Sequence, residues 1–107
     1  MRNPKFQLWL EFELWEENYN PEEEFFNMSV TLDNGKKYAL NVWTYKYFEL
    51  ARKLDIQSND CLGGKYLIPP DLLIEKLDRE MIVDIFDDII RQNSLKPEWL
   101  VIEENYQ

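Results

Sequence analysis

The sequence predicts an α+β fold: an antiparallel sheet of about four strands with two helices packed on one of its faces. Three observations carry this expectation. Apolar residues alternate with period two through the early part of the chain, then switch to helical spacing after "NVWT", and the element order reads β-β-β-α-β-α with a tail. Hairpin-type strands followed by segregated helices are the pattern of α+β architecture. The chain has 107 residues, which fits one domain spanning residues 1–107.

Residues 5–16 open the fold. Phe6, Leu8, Leu10, Phe12 and Leu14 share one parity, while Gln7, Trp9, Glu11, Glu13 and Trp15 share the other. Strict alternation over this length predicts a half-buried strand, with Trp9 and the acids on its outer face. The stretch "ENYNPEEE" that follows has turn chemistry and no apolar period, and reads as an exposed loop.

Two further strands flank "DNG". Phe26, Met28, Val30 and Leu32 share a face on the first, and Tyr38, Leu40 and Val42 on the second. A two-residue Asn34-Gly35 turn would set Val30 against Ala39 and put the apolar sets on opposite faces. A three-residue loop, Asp33-Asn34-Gly35, sets Val30 against Tyr38 and Met28 against Leu40. Face matching predicts the longer loop, with Gly35 left-handed.

In "TYKYFELARKLDI", Tyr47, Leu50, Ala51 and Leu54 follow i, i+3, i+4, i+7, which predicts an amphipathic helix capped by Thr44. "QSNDCLGG" reads as a loop. "KYLIPPDLLIEKL" reads as a short extended segment, a proline break and a strand. Asp78 is positioned to cap a second helix, "REMIVDIFDDIIRQN", with Met81, Ile82, Ile85, Phe86, Ile89 and Ile90 as its apolar set. "WLVI" in the tail fits either a strand or a docked turn of helix.

Hydrophobic residues make up 45% and aromatics 15% of the chain, enough to build a core without cross-links. The formal net charge of −9 argues against binding nucleic acid or an anionic membrane, because phosphate recognition needs clustered Lys and Arg. It suits a basic protein partner, since complementary charge speeds encounter. Solubility alone explains the same charge. Cys61 is the single cysteine, so no internal disulfide forms. The opening "MRNPKFQLWLEFELWEEN" is interrupted by Glu11 and Glu13 and lacks a small-residue cleavage site. No apolar stretch is long enough to span a bilayer, and the expected location is the cytoplasm.

No catalytic signature emerges. The chain contains no His, so neither a Ser–His nor a Cys–His dyad is available. "LGGK" lacks the spacing of a phosphate loop, and no metal-binding motif is present, so no cofactor is expected. Two acidic constellations remain. The first is Glu11, Glu13, Glu16, Glu17, Glu22, Glu23 and Glu24, flanked by Trp9 and Trp15. The expected binding set here is Trp9, Glu11, Glu13, Trp15, Glu22, Glu23 and Glu24. Aromatics beside a charged rim resemble an interface core, although another element, such as residues 99–102, would equally cover them. The second, secondary patch is Glu80, Asp84, Asp87 and Asp88 on the last helix. Like charges at i,i+4 there weakly oppose the helix, which favours binding over stability; a solvated face is the alternative.

The run "ALNVWTYKYFELARK…GGKYLIPPDLLIEKLDREMIVDIFDDII" resembles small bacterial immunity proteins of polymorphic and contact-dependent toxin systems. It covers roughly residues 38–90, through "NVWT", "GKYLI" and "EKLD". The resemblance implies an α+β fold and neutralisation of a cognate toxin. The expectation is therefore a non-enzymatic inhibitor, monomeric or weakly dimeric, that occupies the basic site of a toxin such as a nuclease with its acids. A housekeeping or adaptor domain with an acidic surface for solubility is the alternative.

Overall fold

A computed structural model describes residues 6–102. Four strands, β1 (Phe6–Leu10), β2 (Phe25–Leu32), β3 (Lys37–Thr44) and β4 (Leu72–Ile74), lie side by side in chain order. The helices are α1 (Tyr45–Ser58), a short turn α2 (Cys61–Gly64) and α3 (Arg79–Arg91). The fold is therefore α+β.

The β2–β3 hairpin has the register that face matching demands. Val30 faces Tyr38 and Met28 faces Leu40. Leu32 N–H donates to Lys36 O at 2.8 Å, which closes the loop over Asp33-Asn34-Gly35, and Gly35 takes φ +87°. With this register Phe26, Met28, Val30, Leu40 and Val42 all reach one core. Ile82 and Phe86 of α3 and Trp99 of the tail complete it. Asp78 caps α3 as its sequence position requires, accepting from the Glu80 and Met81 amides.

Three expectations are corrected. The first strand ends at Leu10, not near residue 16, and residues 11–14 coil into a 3-10 turn. Alternation persists through the turn, so the sequence pattern hides the break. Phe12 still reaches the core, edge-on to Phe26 at 5.0 Å, but Leu14 is left exposed. Second, the sheet is mixed. β1, β2 and β3 are antiparallel, whereas β4 runs parallel to β3, with Val42 facing Leu72 and Thr44 facing Ile74. The cause is the intervening helix: a strand, a helical crossover and a second strand return in the same direction. Third, the tail is neither simple alternative. Pro97–Trp99 forms a 3-10 turn that buries Trp99, and Leu100 then bridges Tyr38 beside the β4 position on β3.

The helices contribute unequally. α3 buries Ile82 and Phe86, whereas α1 buries no residue. α1 is well capped: Thr44 Oγ1, itself buried, accepts from the Tyr47 amide at 3.1 Å. It meets the sheet through Tyr47, whose ring lies 5.2 Å from Trp43 and 4.8 Å from Phe25. Trp43 and Phe25 face each other in the ladder with the parity opposite to the core residues, so these contacts lie on the opposite face of the sheet.

The turn after α1 is left-handed. Asn59, Cys61, Leu62, Gly63 and Gly64 all have positive φ, and the Gly64 and Lys65 amides donate four residues back to Asp60 and Cys61 carbonyls. Gly64 is required there, since a Cβ would collide with Ile56 Cγ1. Leu62 has no such licence. A left-handed conformation costs a residue with a Cβ about 1–2 kcal/mol, yet Leu62 adopts φ 54° and is 70% exposed.

Candidate functional site: an acidic, aromatic cleft

The early break of β1 decides where the acids go. Beyond Leu10 the β2 edge loses its neighbour, and Glu11 replaces it: the Asn27 amide donates to Glu11 Oε1 at 2.8 Å. Asp71 does the same before β4 begins, accepting from the Asn41 amide at 2.8 Å. Both carboxylates extend the ladder by one hydrogen bond where a strand stops.

The predicted binding set is consequently divided. Glu13 turns toward α3 and meets Arg79 through two short contacts of 2.6 and 2.7 Å. The Arg79 guanidinium, first by hydrogen bonding and then by charge, lowers the Glu13 pKa despite partial burial. The same guanidinium donates to Leu8 O at 3.2 Å, on the edge strand. Glu13 thus fastens the 3-10 turn to the start of α3. Glu22 is paired with Lys46 at 2.7 Å, and this hydrogen bond and charge lower its pKa as well. Glu22 and Glu23 sit on a turn whose amides bond Asn20, and Leu77 N–H donates to Pro21 O at 2.8 Å, tying that turn to the segment before α3.

Glu11, Trp15 and Glu24 remain together. They line a cleft of about 610 Å³ with Glu16, Glu17, Tyr19, Phe25 and their neighbours. Trp15 and Tyr19 meet edge to face at 5.1 Å and form an aromatic wall. Four carboxylates line this cleft and, among the described residues, no Lys or Arg does. Glu11 and Glu24 each accept one backbone amide, from Asn27 and Phe25. A carboxylate has about four acceptor positions, so both retain capacity for a cation. The chemistry on offer is recognition of positive charge: carboxylates for hydrogen bonding and ring faces for cation–π contact.

Trp9 lies apart from this cleft, on the open sheet face, and is 48% exposed. It borders a broader trough of about 810 Å³ floored by small cross-strand residues such as Ser29 and Ala39, with Val101 and Asp71 on its border. Trp99 does not cover it, being committed to the core. Asn27 borders both hollows, so they adjoin. Tyr19 and Phe25 belong to the cleft but not to the set expected from sequence. Their signal was proximity to the acidic run, which the loop reading treated as solvent-facing.

On α3, Asp88 accepts from Arg91 and from Gln92, both at 3.0 Å. Glu80, Asp84 and Asp88 are exposed and Asp87 is half-buried. These acids lie along one helix rather than around a hollow. Among the described residues no group of His, Cys, Asp or Glu is arranged to hold a metal ion, and no helix is long and apolar enough to cross a membrane. Comparison with protein-family models, curated proteins and solved structures found no match.

Proposed function

We propose that the protein is a non-enzymatic binder of a basic protein, acting in the cytoplasm as an immunity-type inhibitor of a cognate toxin. The observation that carries this reading is the cleft lined by Glu11, Glu16, Glu17 and Glu24 with Trp15, Tyr19 and Phe25 and, among the described residues, by no cation. An arginine or lysine of the partner entering it would exchange water for carboxylates and ring faces at once. A nuclease toxin offers such groups, because its own site must attract phosphates. The resemblance of residues 38–90 to immunity proteins supplies the partner class; the cleft supplies the chemistry.

The geometry favours a different subset of residues for this binding role. Glu13 and Glu22 already have cations, so the partner meets Glu16, Glu17 and Glu24 first, with Tyr19 and Trp15 as anchors and Trp9 on the adjoining trough. The test begins with capture of partners from the native host, followed by association and dissociation kinetics at two salt concentrations. Glu16→Gln/Glu17→Gln/Glu24→Gln is expected to slow association about tenfold or more at low salt and to flatten its salt dependence. Tyr19→Ala is expected mainly to speed dissociation, by about 2 kcal/mol if it is a hot spot. Asp84→Asn/Asp87→Asn serves as the α3 control and should leave both rates unchanged. Unaltered kinetics in the triple variant, or recovery of no basic partner, would sink this reading.

A further inference from the structure

The core lies on one face of the sheet, on the even-numbered residues of β1, β2 and β3. Their odd-numbered neighbours point to the other face, and there they line the trough of about 810 Å³ beside the acidic cleft. That volume falls within the roughly 300–1,000 Å³ of small-molecule sites. Trp9 faces Ser29 across the ladder, and Ser29 faces Ala39. Two small residues in a row leave one side of the Trp9 indole uncovered, and Trp9 is 48% exposed.

The next rung along the sheet is polar. Asn27 faces Asn41, and the Asn41 side-chain amide donates to Asn27 Oδ1 at 3.3 Å. That bond sets the two amides against each other. It leaves the Asn27 amide as a donor and Asn41 Oδ1 as an acceptor, side by side, neither with another partner among the described residues. Ser29 is the independent sign. It is 8% exposed, it lines the trough, and its hydroxyl has no hydrogen-bond partner among the described residues. Buried hydroxyls are as a rule partnered, because leaving one unpaired costs the fold its desolvation.

Charge and polarity select the occupant. Among the described residues, Lys37 and Asp71 are the two ionisable groups on the lining, and they cancel. In a chain of net charge −9, this hollow therefore favours a neutral ligand. It also lacks the apolar centre of a protein interface: its floor is Ser29, Ala39 and two amides, with Trp9 and Val101 at the border.

We propose that the trough binds a neutral saccharide, with one pyranose ring stacked on Trp9. The electron-rich indole face meets the C–H groups of the ring. Each sugar hydroxyl is both donor and acceptor. Of two adjacent hydroxyls, one accepts from the Asn27 amide and the other donates to Asn41 Oδ1. Ser29 Oγ, on the floor, takes a third. The proposal does not rest on reading the cleft as a site for a basic protein, and it needs no cation on the ligand.

Titration with cellotriose and with triacetylchitotriose, each to about 20 mM, tests this by ¹⁵N-resolved NMR, at concentrations that reach weak sites. At least one saccharide is expected to shift the Trp9 indole N–H and the Asn27 and Asn41 side-chain amides, saturably and with a Kd of about 1 mM or tighter. Sorbitol, which has hydroxyls but no ring face, should produce no saturable shift. The Kd should be equal at about 0.05 and 0.5 M salt, because a neutral ligand is not screened. Trp9→Ala and Asn27→Ala should each weaken binding about tenfold or more with the rest of the spectrum unchanged. Ser29→Ala should weaken it about threefold or more while the thermal midpoint stays level or rises, since no protein group loses a bond. Glu16→Gln/Glu17→Gln should leave it as it was. The proposal is overturned if neither saccharide shifts these groups at 20 mM, if sorbitol saturates them equally, or if Trp9→Ala binds as tightly as wild type.

Discussion

Glu13 shows how much one side chain contributes to a junction. It is nominally one acid among many, yet it accepts two short hydrogen bonds from Arg79 and joins the 3-10 turn to α3. Its side chain is 39% exposed, so the Coulomb contribution is discounted for solvent screening, leaving about 0.5–1 kcal/mol. The pH dependence follows from the lowered pKa. A carboxylate whose folded pKa is depressed adds its full stability above the unfolded value, and that stability is lost as pH falls through the lower folded value. Glu13→Gln is therefore expected to reduce the unfolding free energy by about 0.5–1 kcal/mol at pH 7. The gap to wild type should close progressively below the ordinary value of 4.5. Urea titrations at pH 7 and pH 3 measure both. A gap that is equal at the two pH values would mean that the ion pair is not its source. Partial desolvation, and then the neighbouring Asp55, raise the Cys61 thiol above its ordinary pKa, so its thiolate is scarce at neutral pH.

Among the elements, legibility followed how much each side-chain pattern constrained the backbone. The hairpin register was readable because only one loop length puts Val30, Met28, Tyr38 and Leu40 on the same face, and the cap at Asp78 was readable because its short carboxylate precedes an apolar period. The end of β1 was not. Leu10 and Phe12 are both buried and Glu11 is between them, in a strand or in a 3-10 turn alike. The Glu11 bond to the Asn27 amide accompanies the break, and it joins residues sixteen apart in the chain, beyond the reach of a local pattern. This is also why the acidic set is divided: a strand would keep Glu11 and Glu13 on one face, whereas the 3-10 turn sends Glu11 to the Asn27 amide and Glu13 to Arg79. The direction of β4 was implicit in the β-α-β order but was read as antiparallel. Thr44 links three of these elements. Its buried Oγ1 accepts from Tyr47 N–H at the start of α1 and from Glu24 N–H at the start of β2, each at 3.1 Å. Thr44→Val keeps the shape and leaves both amides without that acceptor. It is expected to cost about 1–2 kcal/mol, and a urea midpoint unchanged from wild type would show that the cap is not limiting.

At the scale of the whole molecule, stability is unevenly distributed. β2, β3 and α3 share the buried core, while α1 buries no residue and rests on Trp43, Phe25 and its own left-handed turn. The radius of gyration, 15.9 Å, exceeds the roughly 13 Å of a compact domain this long. Elements with few buried contacts open locally at a fraction of the global unfolding free energy. At low protein concentration the backbone amides of α1 should therefore exchange with deuterium well before those of α3, although both helices are capped. Hydrogen exchange resolved to the two helices measures this. Early exchange of α1 against late exchange of α3 is the expected result. Equal protection of α1 and α3 at low concentration would show instead that the contacts of Tyr47 and the Thr44 cap already bind α1 into the cooperative core.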